Sequence, residues 1–331
     1  MTVTATPANL TNMDPQARAL LDRMAADGVV SLQGLTPPEA RKAFAAIRSK
    51  YQLPMADVDL CETHVLSDAK RGVRVRVYRG IDTDRSADLP VLMFLHGGGW
   101  MVGDLDSYDG LCARIANEVS CCVVSVDYRL APENPFPAAL DDAALALRWL
   151  QRSAEMLRID PSRIALGGDS AGATLTAALA LMSRDKVLPS ILFQLLVYPC
   201  LDMSMSSASF RQNWAGAPLT SESMSNYIAN YVPDPELRKH WPAAPLRSES
   251  VVNAAPSLII STGIDPLRDD SFAYANQLQN AGVPVVHLHF SDQFHGFLPM
   301  WHLIDAAERA MTFLCASLST ALCRPMLDPP N

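Results

Sequence analysis

The chain has 331 residues, enough for one large or two ordinary domains with a sizeable core. At 49% hydrophobic and 19% charged, without repeats or low-complexity tracts, it reads as a soluble globular protein with disorder only at its ends. A formal net charge of −8 with no basic stripe argues against a nucleic-acid partner, residues 1–10 lack the basic and apolar parts of an export signal, and no segment is long and apolar enough to span a bilayer; a cytoplasmic location without stable membrane insertion is expected.

Residues 14–28 carry Ala19, Leu20, Met24 and Ala25 among charges, and residues 37–50 repeat the pattern with Phe44 and Ile47. Both spacings predict amphipathic helices. A strand pair is expected over 58–66 and 73–78; in the second, Val73, Val75 and Val77 alternate with Arg74 and Arg76, which marks an antiparallel edge with one buried face. Residues 90–96, 121–127, 163–166, 191–197, 257–261 and 283–290 are apolar runs of strand length. Helical patterns over 108–119, 138–153, 171–184 and 271–281 separate most of them, which predicts an α/β fold with a mostly parallel sheet covered by helices on both faces. The seven cysteines are scattered without C-x-x-C spacing and read mostly as small buried hydrophobes; Cys121 and Cys122, adjacent on one strand, should face opposite ways. Nearly sixty residues separate Val197 from Ser257, too many for a structureless loop. With Met203, Phe210, Trp214, Tyr227 and Trp241 they predict inserted helices over the sheet, forming a cap together with the N-terminal helices.

Chemistry is concentrated after the strands. Gly168, Asp169, Ser170, Ala171 and Gly172 fit the G-x-S-x-G elbow, a sharp strand-to-helix turn that lifts a serine hydroxyl out of the sheet, and the glycines remove side chains that would clash there. The alternative is a chance glycine-rich turn. If Ser170 is a nucleophile it needs a base, a group to orient the base, and donors for an oxyanion. His295 follows the last strand, where the base stands in the chain order serine, acid, histidine. His287 and His289 alternate within a strand without acidic or cysteine companions and read as structural rather than metal ligands, and His96 reads as a loop organiser. Asp265 follows the 257–261 strand and is ranked as the acid ahead of Asp202, although a helix N-cap with Pro266 behind it is its plainer reading. His96, Gly97, Gly98, Gly99 and Trp100 form a turn of unobstructed backbone N–H groups. Together with the N–H of Ala171, such a turn can make an oxyanion hole.

Taken together, His96 to Gly99, Tyr128 to Glu133, Gly168 to Gly172, Asp265 to Asp269 and His295 to Phe297 resemble, in order and spacing, the hormone-sensitive-lipase-like (bacterial family IV) carboxylesterases of the α/β-hydrolase superfamily. The resemblance implies an α/β-hydrolase fold of about eight strands with a two-part helical cap, no cofactor, and oxyanion donors Gly98, Gly99 and Ala171. It also implies that Tyr128 to Glu133 support the site, and that two copies can pair as a homodimer through the last strand. The expected division is residues 1–55 and 203–246 for the cap, and 56–202 with 247–331 for the catalytic domain. Many relatives have a second glycine where this chain has Ala173, a minor departure.

The expected activity is hydrolysis of short-acyl carboxylic esters through an acyl-enzyme on Ser170, with the triad Ser170, His295 and Asp265 and no metal. A lactonase, deacetylase or amidase of the same mechanism remains open. The resemblance extends to the plant gibberellin receptors, binding proteins that lost the base, but here both Asp265 and His295 are present. Trp100, Trp214 and Leu219 are candidate walls for the substrate, with burial in the core as their alternative.

Overall fold

Alternating valine and arginine along residues 73–77 is resolved by burial: Val73, Val75 and Val77 enter the core, Arg74 is exposed, and Arg76 is held by Asp106 and Asp109 at 2.8 and 2.7 Å. The computed structural model describes residues 10–323 apart from 30, 31, 33, 69, 70 and 85. Two helices come first, α1 (Pro15–Ala26) and α2 (Pro37–Tyr51). Asp14 caps α1 by accepting from the N–H groups of Gln16 and Ala17, and Glu39 accepts from the Thr36 N–H ahead of α2 at 2.9 Å.

Strands β1 (Leu60–Asp68), β2 (Arg71–Arg79), β3 (Leu89–Leu95), β4 (Cys122–Asp127), β5 (Ile159–Asp169), β6 (Phe193–Val197), β7 (Ser257–Ile264) and β8 (Val285–Phe294) form one eight-stranded sheet in the order β1-β2-β4-β3-β5-β6-β7-β8. β2 runs antiparallel to β1 and β4, and every other neighbouring pair is parallel. The remaining helices are α3 (Asp109–Val119), α4 (Ala138–Arg152), α5 (Ala154–Leu157), α6 (Ala171–Arg184), α7 (Ser221–Tyr231), α8 (Arg268–Asn280) and α9 (Asp305–Cys323).

β3 is buried along its whole length because helices cover both faces. Its even and odd residues therefore join different layers: Leu92 and Phe94 pack with Ile115 of α3 and Met311 of α9, while Val91 and Met93 pack with Leu147 of α4 and Leu175 of α6. Cys121 and Cys122 divide between the same two layers. Parallel pairing also gathers strand ends at one edge of the sheet. β3 ends before the glycine turn, β5 before Ser170, β7 before Asp265 and β8 before His295, so residues far apart in sequence open on one place.

The inserted segment differs from expectation. Within 203–246 the only α-helix among the described residues is α7, accompanied by short 3-10 turns at Leu237–Lys239 and Pro245–Arg247. Proline at 218, 233, 235, 242 and 245 removes backbone donors, the Ser204 N–H and the Ser207 hydroxyl are spent on local turns, and Ser209 is tied by its hydroxyl to the Pro266 carbonyl and by its N–H to Asp269. Among the described residues no helix is long and apolar enough to cross a membrane.

Candidate active site

The turn between β5 and α6 places Ser170 at φ 52° and ψ −118°, a strained conformation for a residue with a Cβ. Its N–H is fixed to the Val197 carbonyl at 2.8 Å. The flanking glycines are a steric requirement: a Cβ on Gly172 would lie 1.9 Å from the Leu95 carbonyl oxygen, and one on Gly168 would lie 2.5 Å from the Gly172 carbonyl carbon.

His295 reaches Ser170 from the loop after β8, with Nε2 2.9 Å from Ser170 Oγ. Its Nδ1 is 2.8 Å from Asp265 Oδ2. With Nδ1 carrying the hydrogen, both contacts are satisfied and Nε2 is left to accept the serine proton. The ring also rests against Tyr198, centroids 4.5 Å apart. Asp265 is fully buried and accepts from the Leu267 N–H on Oδ1 and from Thr262 Oγ1 on Oδ2. The helix that follows begins only at Arg268, so Asp265 shapes a turn instead of capping a helix with Pro266. Asp202 lies outside this arrangement, in an ion pair with Arg247 at 2.7 Å. His287 and His289 are also elsewhere, both bonded to the Ser261 hydroxyl at 2.7 and 2.9 Å.

Opposite the serine, Gly98 (φ 120°) and Gly99 (φ 59°) line the same cavity. Ala171 opens α6, where first-turn N–H groups lack an intrahelical acceptor. The glycine turn is anchored from below by Gly97, whose N–H meets Asp169 Oδ1 at 2.7 Å and the Tyr108 hydroxyl oxygen at 2.9 Å. Tyr108 donates in turn to Asp169 Oδ2 at 3.0 Å. Burial pushes the Asp169 carboxyl above the ordinary aspartate range, and the Arg48 charge pulls it back. His96 is wholly buried, stacks on Tyr128 at 4.2 Å and contacts the Gly97 carbonyl through Nδ1 at 2.8 Å. Burial lowers its pKa, so it organises the loop as a neutral ring.

The cavity over Ser170 has a volume of about 580 Å³. Its floor is Ser170, His295 and the glycines; α1 contributes Leu21 and Met24, α2 contributes Phe44, Ile47 and Arg48, and the inserted segment contributes Leu219, Met224 and Tyr227. Of the three wall residues expected from sequence, only Leu219 lines it. Trp100 is stacked flat on Tyr231 at 4.4 Å and fully buried, and Trp214 is tied into its own turn by an N–H bond to the Ser209 carbonyl at 2.7 Å. Both tryptophans are core, a correction to the expectation. Arg48, Tyr108, Tyr198 and Tyr227 line the cavity without a motif that marks them, and of the four only Tyr198, directly after β6, stands at a strand end.

The wall helices are also fastened to the motifs. Arg41 of α2 forms a bidentate pair with Glu133 at 3.0 and 2.6 Å and donates to the carbonyls of Met101 and Ala131 at 3.0 and 3.2 Å. Arg129 is paired with the buried Asp142 at 2.7 Å. These contacts explain the Tyr128 to Glu133 motif physically, since it joins the sheet, α4 and α2 beside the glycine turn.

A strained serine, a histidine and a buried aspartate at adjoining strand ends, beside a glycine turn, define the class of serine hydrolases built on a parallel α/β sheet. Comparison with known proteins is concordant. A family model described as the alpha/beta hydrolase fold matches residues 92–299. The chain is 36% identical over 320 residues to carboxylesterase NlhH of Mycobacterium tuberculosis (strain ATCC 25618 / H37Rv), covering 94% of this chain and 97% of the relative. It is 34% identical over 303 residues to ethyl acetate hydrolase of Pseudomonas putida, covering 89% and 93%. Among solved structures, an ester hydrolase from the metagenome of Lake Arreo, complexed with a derivative of bipyridine phosphonate, matches with a TM-score of 0.88 and 32% identity over 93% of this chain and 98% of that one. A thermostable esterase from Pseudomonas putida ECU1011 matches with a TM-score of 0.89 and 28% identity over 95% and 98%. The chain belongs to the alpha/beta hydrolase fold family, in its hormone-sensitive-lipase-like branch, and is a carboxylic ester hydrolase.

Proposed function

We propose that Ser170, His295 and Asp265 hydrolyse short-acyl carboxylic esters through an acyl-enzyme. The observation that carries this reading is the unbroken line from Asp265 Oδ2 to His295 at 2.8 Å and on to Ser170 Oγ at 2.9 Å, opening into the cavity. Ser170 Oγ attacks the carbonyl carbon as its proton passes to His295 Nε2, and the oxyanion accepts from the N–H groups of Gly98, Gly99 and Ala171. Collapse expels the alcohol, which takes the proton from His295. A water then gives a proton to His295 and attacks the acyl carbon; return of the proton to Ser170 releases the acid. Asp265 holds the tautomer and stabilises the imidazolium.

Short acyl chains are favoured in this reading because helices roof a cavity of about 580 Å³, a size suited to a small ligand, and because a relative is named for ethyl acetate hydrolysis. We read residues 1–55 and 203–246 as a two-part cap over a catalytic domain of 56–202 and 247–331. Buried free cysteines at 112, 121, 122, 200 and 315 support a reducing, cytoplasmic setting, and the position of β8 at the end of the sheet supports pairing of two copies there. The test is a p-nitrophenyl ester series from acetate to palmitate on wild type beside Ser170→Ala. Turnover should peak at short chains and vanish in the variant; faster palmitate than butyrate hydrolysis would overturn the short-chain reading.

A further inference from the structure

Arg48 is the one side-chain cation lining the cavity among the described residues, and it is only 8% exposed. A guanidinium in that position normally needs a carboxylate beside it. None of the ion pairs among the described residues involves Arg48. Its planar head lies over the Tyr108 ring at 4.1 Å and 5.1 Å from the Phe44 centroid. With the Gln52 amide oriented to accept, its oxygen is 2.9 Å from Arg48 Nε and also contacts Nη1. Nη2 and the second hydrogen of Nη1 then have no acceptor among the described residues.

Asp169 lines the same cavity and feels the Arg48 charge, yet the two form no ion pair, and its oxygens accept from the Gly97 N–H and the Tyr108 hydroxyl instead. A second polar group on the same cavity is also unmatched: Tyr198 is 1% exposed, lines the cavity, and its hydroxyl has no partner among the described residues. Much of the remaining lining is apolar, with Met24, Phe44, Ile47, Val102 and Met300, and its other charged side chain, Asp169, is already bonded to Gly97 and Tyr108. An apolar site with a few unsatisfied polar groups is a site with a specificity.

We propose that Arg48, with the Tyr198 hydroxyl, forms a subsite for a carboxylate on the substrate, so that the enzyme takes esters that carry a second, ionised acid group. The proposal rests on the ester-hydrolase reading and narrows it. A planar guanidinium matches a carboxylate with two parallel donors, and Tyr198 supplies a third. In an otherwise apolar cavity without such donors a charged ester is rejected, because its carboxylate is stripped of water without replacement. The subsite therefore decides between charged and neutral substrates of the same length.

The experiment compares monomethyl glutarate with dimethyl glutarate, and 4-acetoxybutanoate with its methyl ester read by acetate release, which places the charge on the acyl arm and then on the alcohol arm. In Arg48→Met the ratio of kcat/KM for the charged over the neutral ester should fall tenfold or more on one arm, with Arg48→Lys between the two. Free glutarate should inhibit wild-type hydrolysis of p-nitrophenyl acetate competitively where glutaramide does not, a measurement that stands if Arg48→Met does not fold. A ratio that changes less than tenfold on both arms overturns the subsite, as does equal inhibition by glutarate and glutaramide; Arg48 then acts only through its stack on Tyr108. If wild type hydrolyses none of the four esters nor p-nitrophenyl acetate, it is the ester-hydrolase reading that has failed.

Discussion

The floor of the cavity and its walls are built by different rules. On the floor, an added Cβ at Gly168 or Gly172 would meet a neighbouring backbone atom within 2.6 Å, Ser170 between them is held at φ 52°, and Asp265 and His295 are fixed by the hydrogen bonds that align them with it. On the walls, Leu21, Met24, Phe44, Leu219 and Met224 are apolar side chains on helical or irregular segments, and their positions require little more than bulk and hydrophobicity. Chemistry is thus fixed by geometry that barely varies, while selectivity is left to surfaces that can be exchanged.

The most direct way to break this contrast is Ser170→Ala. Hydrolysis should fall by on the order of 10⁴-fold or more, with unfolding midpoints at or above wild type because the replaced hydroxyl makes no structural bond besides His295. Residual turnover within tenfold of wild type would remove the serine from the mechanism.

Next in size is a pH effect on the frame that holds the floor. Asp270, buried in α8, accepts on one oxygen from the N–H groups of Leu201 and Asp202, both at 2.9 Å, and burial pushes its carboxyl up to about 7. The unfolded chain gives up this proton near 3.8 and the folded chain only near 7, so Asp270 lowers stability as pH rises between those values and adds no further slope above. The loss is on the order of 4 kcal/mol. Asp270→Asn keeps an oxygen acceptor for both N–H groups and should lack this slope. Denaturant titrations at pH 4.5 and 7.5 giving parallel curves for the two proteins would refute the assignment.

Gly99 is where floor and wall meet. It has φ 59°, and an added Cβ would lie 2.5 Å from the Tyr227 ring of α7. Gly99→Ala should therefore lower kcat by about 10²–10³-fold through a displaced oxyanion donor, with a smaller change in KM. A KM effect alone would place Gly99 with the walls.

Wall residues should behave otherwise. Met224→Ala should raise the palmitate-to-butyrate ratio by about tenfold, the scale of a few methylenes in an apolar pocket, and leave acetate turnover within a few-fold. An unchanged chain-length profile would remove Met224 from the acyl path.

The same contrast explains what could be read from sequence. The strands and the residues after them are legible because every strand except β6, which runs into Tyr198 and Pro199, is punctuated by glycine, aspartate or histidine at its end. Bounds differ by a few residues: β5 begins at Ile159 where the sequence marks a strand only over 163–166, and β8 continues to Phe294 with an alternating, half-exposed pattern. The walls were not legible. Met24 and Leu20 belong to one amphipathic pattern, yet Met24 lines the cavity and Leu20 is core. Trp100 and Trp214, the bulkiest candidates, are core for the same reason that made them conspicuous, since large aromatics bury the most surface. Arg48 carries no sequence signal for the cavity and is buried because α2 lies against Tyr108.

The smallest expected effect concerns how the wall is fastened to the floor. The Arg41 and Glu133 side chains are 32% and 50% exposed, so solvent screens their attraction and the pair contributes under about 1 kcal/mol. Glu133→Gln should accordingly move the unfolding free energy by less than that, and its effect should shrink further in 1 M salt. Arg41→Met should do more than Glu133→Gln, because Arg41 also donates to the Met101 and Ala131 carbonyls beside the glycine turn. If α2 is held chiefly by charge, the two variants will match and both will respond to salt. If it is held by those two carbonyls, only Arg41→Met will raise KM, and salt will leave the difference between them in place.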